Sequence, residues 1–217
     1  MTETSITTIG GGTAPRPDGA APTAAGPHGP LLDRIVPTKG LIVVAVVLAA
    51  DVTCIAGNWQ WGLDFFHVVS GGMWTALDLF IGLIIGPMVL ARLSMPARME
   101  FAARFMPKMM LIMPTLVIMT LASGWQLARK IGALNVSYPQ HWWLTASFIV
   151  VAVMMVIAIG ILAPANLGIL FELRKPKPSG ELIGKLMRRF IYTAGITGLM
   201  QVATLVIMTR IATSKWG

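Results

Sequence analysis

His67, Trp74 and Asp78 stand at positions i, i+7 and i+11 of one apolar stretch. On a helix of 3.6 residues per turn they fall within about 20° of a single line. An imidazole, an indole and a carboxyl on one face can ligate a metal, orient a ligand or hand on a proton. Ser70 and Gly71 flank that line, and small residues there let a flat macrocycle or a neighbouring helix reach the backbone. Gly82, Gly86 and Pro87 follow, a spacing that reads as helix packing and a kink. His141 opens a later apolar stretch after Tyr138, Pro139 and Gln140. Neutral imidazole is a good axial ligand for haem iron, and two histidines from separate helices at one depth form the minimal b-type site. The residues leave three readings: a His67/His141 pair with Trp74 beside it, a site built on one histidine, or two interfacial histidines bonded to water and neighbours.

Asp51, Asp78 and Gln201 form a second set. At 1.5 Å per residue they lie about 15, 20 and 18 Å inside their respective stretches, near the middle of a bilayer. Polar groups are costly there and turn towards the interior of a helix bundle. The set reads either as a shared proton path or ion site, or as a hydrogen-bond clamp between helices. Fifteen methionines, with Met106, Met109, Met110 and Met113 close together, raise copper(I) handling by soft thioethers. The same side chains are adaptable packing material. Cys54 is the only cysteine, which excludes an intramolecular disulfide and a paired-cysteine site.

The elements that must position these residues are five apolar stretches, roughly 41–57, 65–91, 109–128, 142–163 and 190–209. Each is close to or above the ~20 residues that cross ~30 Å of hydrocarbon. They predict an all-α, polytopic membrane protein with a five-helix bundle over 40–213. Residues 1–39 are largely Gly, Ala, Pro and Thr at first, with no apolar run before Leu41, and read as a disordered cytoplasmic tail in which His28 is a solvated loop residue. No short apolar core occupies the first 30 residues, so the first helix reads as a retained span rather than a signal peptide.

With the N-terminus inside, 13 of the 17 Lys and Arg residues fall on the cytoplasmic side and four outside. The expected topology is N-in, C-out. Trp59, Trp61, Trp125, Trp142, Trp143 and Trp216 all fall at outer helix ends, and Trp74 alone sits deep. The net charge of +8 is explained by this bias and points to acidic lipid headgroups, not nucleic acid. The connection over 164–189 predicts an interfacial helix near 180–188. No phosphate-binding loop, zinc-protease or nucleophile-elbow motif occurs, and the Gly10-Gly11-Gly12 run has no helix after it.

The segment Phe66-His67-Val68-Val69-Ser70-Gly71-Gly72-Met73-Trp74-Thr75-Ala76, with the Ile85-Gly86-Pro87 exit, resembles the His-x6-Trp opening helix of a superfamily of small bacterial membrane proteins. That superfamily includes the oxygen-independent protoporphyrinogen oxidase (HemJ-like) and copper-resistance D (CopD-like) groups. The likeness extends weakly over about 65–212. It implies that His67 ligates haem b, as the matching histidine does in the oxidase branch, in a bacterial inner membrane. The leading expectation is therefore a b-haem membrane redox protein, with His67 the better ligand and His141 a possible partner. The alternatives are a small-molecule, proton or copper carrier using Asp51, Asp78 and Gln201, and a non-catalytic subunit of a larger membrane complex or homo-oligomer.

Overall fold

A computed structural model describes residues 38–137 and 140–213, and every regular element among them is helical. The segment read as a tail lies outside these residues except for its last two, as do the Tyr138-Pro139 turn and Trp216. The helices are α1 (Thr38–Ala56), α2 (Gln60–Leu79), α3 (Gly86–Arg92), α4 (Met95–Lys130), α5 (Gln140–Ile157), α6 (Ala163–Leu173) and α7 (Gly180–Thr213). Two π-helical turns, Phe80–Ile85 and Ala158–Leu162, join α2 to α3 and α5 to α6. Five columns result: Lys39–Ala56, Gln60–Arg92, Met95–Lys130, His141–Leu173 and Gly180–Thr213, each long and apolar enough to cross a membrane. A helix satisfies its own backbone polar groups, which is why such apolar sequences take this form in lipid.

Several helix ends run past the apolar stretches. Residues 95–108 continue α4 as helix, and α7 starts at Gly180, so the expected interfacial helix is the first part of α7 itself. The connection shrinks from 164–189 to 174–179. Apolarity marks where hydrocarbon begins, whereas the backbone runs on as helix through Arg- and Lys-rich turns of good helix propensity. Arg98 anchors the start of α4 by donating from Nε to the Leu93 carbonyl at 3.0 Å and from Nη2 to the Leu90 carbonyl at 2.7 Å, which satisfies acceptors near the end of α3.

Each π turn precedes a proline, Pro87 and Pro164. A proline ring clashes with the carbonyl four residues earlier and supplies no N–H. The chain widens by one residue instead: the Gly86 N–H bonds to the Ile81 carbonyl and the Ala163 N–H to that of Ala158. Pro107 and Pro114 sit inside α4, which remains one 36-residue helix.

The columns form a ring in which α2 packs on α4 and α7, α7 on α5 and α6, and α4 on α6. The α1 helix lies outside, against α2 and α4. It turns into α2 through Asn58, whose φ of 49° is left-handed. Trp59 N–H to Cys54 O and Asn58 N–H to Ile55 O, both 3.1 Å, complete the helix stop. The Gln126 amide donates to Asn58 Oδ1 at 3.2 Å and ties this turn to α4.

One end of the bundle carries Trp59, Trp61, Trp125, Trp142 and Trp143, all exposed, and the other carries most of the Arg and Lys residues. Exposed Leu, Ile, Val and Phe side chains clothe the sides between, the surface that lipid must cover. The main apolar core joins α3, α4, α6 and α7 in the arginine-rich half, with Met106, Met187, Ile183, Val89 and Ile169 fully buried.

Candidate functional site

The stripe expected on α2 is the inward face of that helix: Ser70, Trp74 and Asp78 are buried and His67 is partly buried. It supports two polar tiers. The tier nearer the tryptophan end lies between α2 and α4. There His67 Nδ1 is 2.8 Å from the Thr120 carbonyl oxygen. A carbonyl only accepts, so Nδ1 carries the hydrogen and, in the neutral ring, Nε2 keeps its lone pair. No hydrogen bond to Nε2 forms among the described residues. The ring lies directly on Gly124, where an added Cβ would come within 2.5 Å of both Cε1 and Nδ1. Thr120 Oγ1 is 2.8 Å from Ser70 Oγ and 2.7 Å from the Leu116 carbonyl, and Ser70 donates back to Phe66. An added Cβ at Gly71 would meet Thr120 Cγ2 at 3.3 Å, so the small residues beside the histidine admit helix α4.

About 16 Å further along α2, at 1.5 Å per residue, the second tier joins α2 to α7. Gln201 Nε2 donates to Asp78 Oδ2 at 2.8 Å, and Thr197 Oγ1 is 3.2 Å from the same oxygen. The Trp74 side chain, one turn earlier, completes the polar surroundings of this carboxyl. All of these residues are buried, Asp78 completely. The helices come this close because glycines face each other: a Cβ on Gly82 would lie 2.2 Å from Gly195 Cα, and one on Gly198 2.9 Å from the Leu79 nitrogen. Between the tiers, Trp74 packs with Leu116 and Met154.

The hydrogen bonding of this tier is incomplete. Asp78 Oδ1 and Gln201 Oε1 are buried acceptors with no partner among the described residues, and each such group costs about 1–3 kcal/mol. The Thr197 hydroxyl also lies 2.9 Å from the Ala194 carbonyl and 3.1 Å from that of Thr193, and its one hydrogen cannot serve three acceptors. No lysine or arginine occurs between Lys39 and Arg92, between Lys108 and Arg129, or between Arg189 and Arg210. The ion pairs Arg104–Glu100, Lys175–Glu172 and Lys185–Glu181 all belong to segments flanking those apolar runs.

Asp51 is the single buried side chain of α1 among residues 39–56, and its Oδ1 also lacks a partner. It makes no hydrogen bond to Asp78 or Gln201, so only two members of the expected polar cluster come together. His141 opens α5, at the same end of the bundle as His67, but α2 and α5 share no extensive packed interface. Met106 and Met109 are buried in the apolar core. Among the described residues no three His, Cys, Asp or Glu side chains converge as a metal site. Cys54 packs its sulfur where a Cβ on Gly62 would lie, the small-residue role expected of it.

Thr120, Gly124 and Thr197 were not singled out from the sequence, although they decide the geometry. Their signal is spacing: Thr120 and Gly124, like Thr197 and Gln201, are four apart on helices, the small or polar pairing that seats one membrane helix on another. No family model, no curated protein and no solved structure matches this chain.

Proposed function

We propose that this chain is an integral membrane redox protein that holds b-type haem through His67, oriented N-in and C-out in a bacterial inner membrane. The observation that carries the reading is the state of the imidazole. Its Nδ1–H is committed to a main-chain carbonyl while Nε2 presents a bare lone pair. Ligating histidines are held in this way, by a carbonyl that fixes the tautomer and ring plane and raises the basicity of the distal nitrogen. Gly124 gives the ring its seat, and His141 at the same end of the bundle is the candidate second ligand. These residues fit an axial role, and the group itself would supply one-electron chemistry when bound. Positive-inside bias and the tryptophan belt support the orientation.

The full chain purified in detergent should show a Soret band and reducible α and β bands. His67→Ala should remove or severely deplete them, and His141→Ala should give a milder change to a five-coordinate spectrum. Wild-type spectra from both variants would refute ligation by either histidine.

A further inference from the structure

We propose that Asp78 and Gln201 form a proton-binding site in the middle of the bundle, an acid–amide pair in which the proton rests on Asp78 Oδ1 and is accepted by Gln201 Oε1. This goes beyond the proposed haem function and does not depend on it. The two residues already share one hydrogen bond, from Gln201 Nε2 to Asp78 Oδ2 at 2.8 Å. What remains on the pair is one free oxygen from each partner, both buried and both without a donor. With an ionised carboxylate the arrangement is two orphan acceptors facing an apolar interior. A single hydrogen on Oδ1 turns one of them into a donor, and the acceptor left over on its own hydrogen-bonded partner is the other. Carboxylic acid and primary amide are complementary in this respect, since each offers one donor and one acceptor.

The surroundings leave the proton as the charge-balancing species. Of the elements packed on α2, α4 carries no titratable side chain between Lys108 and Arg129. Between Arg189 and Arg210, α7 offers only Tyr192, which is exposed. On α1 the inward group is Asp51, itself an acid. On α2 the other titratable groups are His67, about three turns away, and exposed Asp64. Among the described residues no cationic side chain faces Asp78, so a bound proton is the simplest way to hold this oxygen cluster in a dry seam. Thr197 fits the same scheme: with the proton on Oδ1, Oδ2 remains an acceptor for the Thr197 hydroxyl, 3.2 Å away.

The test is infrared difference spectroscopy on the full chain in lipid vesicles at neutral pH, with choline as the only added cation. A carbonyl band of a protonated carboxylic acid is expected, moving down in D2O and absent from Asp78→Asn. Gln201→Leu removes the amide donor to Oδ2, and the band should move to higher frequency. If Asp78→Asn does not fold, aspartate-specific carbon-13 labelling of the wild-type protein must shift the band down and Gln201→Leu must shift it up. A spectrum without an acid band, or a band that none of these changes moves, overturns the proposal. So does a band that disappears when choline is exchanged for sodium, which would make the pair a metal-cation site.

Discussion

Replacing Gly124 by alanine tests the histidine seat, because the expected sign opposes the intrinsic preference of the helix. Within a helix, Ala is favoured over Gly by about 1 kcal/mol, so a neutral site would gain stability. At Gly124 the new Cβ would stand 2.5 Å from His67 Cε1 and Nδ1, against an ordinary contact of 3.4–4 Å. The ring must therefore retreat by about 1 Å, and its 2.8 Å bond to the Thr120 carbonyl goes with it. Loss of the hydrogen bond costs about 1 kcal/mol, and overpacking costs about 1–3 kcal/mol. After the helix gain is subtracted, a net destabilisation of about 1–3 kcal/mol remains. Gly72 is the control: a Cβ there meets nothing within 4 Å, so Gly72→Ala should be neutral or stabilising by up to about 1 kcal/mol. Thermal melts of both variants, read beside the visible spectrum, give the comparison. If Gly124→Ala melts at or above the wild-type temperature, the imidazole does not lie on this glycine and the argument for a held ligand falls.

At the second tier, Gly82→Ala would set a Cβ 2.2 Å from the Gly195 backbone. No side chain can move aside there, so a loss of about 3 kcal/mol or more is expected, seen as a collapse in yield and melting temperature; a wild-type melt would show that the two backbones are not in contact. A topology reporter fused after Gly217 should be active only outside the cytoplasm, and activity inside would overturn the proposed orientation.

The five columns were legible because apolar runs of span length have few other fates in a protein. Helix limits were less so: nothing in the polarity of Arg98, Arg104 or Lys108 says that the backbone stays helical past the hydrocarbon edge, as α4 does from Met95. Within the site, the 7- and 11-residue spacings on α2 identified its inward face, since that depends only on helical period. Which helix that face meets depends on the order of packing around the ring. The stripe could name Asp78 but not Thr197, 119 residues away in sequence. Asp51 shows the converse limit. Its burial was readable from its place inside an apolar run, yet α1 lies outside the ring and Asp51 makes no hydrogen bond to Asp78 or Gln201.

The matching π turns give the bundle an internal arithmetic. Gln60–Arg92 and His141–Leu173 are both 33 residues long. Each enters at the tryptophan end, is widened once before a proline, and is followed by a long helix running back. The two columns thus share one device, a π turn that ends two residues before a proline. Setting Pro164 on Pro87 places Leu144 opposite His67, Val151 opposite Trp74 and Met155 opposite Asp78. Ser70 is matched by Ser147, a second buried hydroxyl, whereas His67, Trp74 and Asp78 have apolar counterparts. The second column therefore serves as a reference for the first: transplanting Leu, Val and Met onto positions 67, 74 and 78 of α2 asks how much of the bundle is architecture and how much is chemistry.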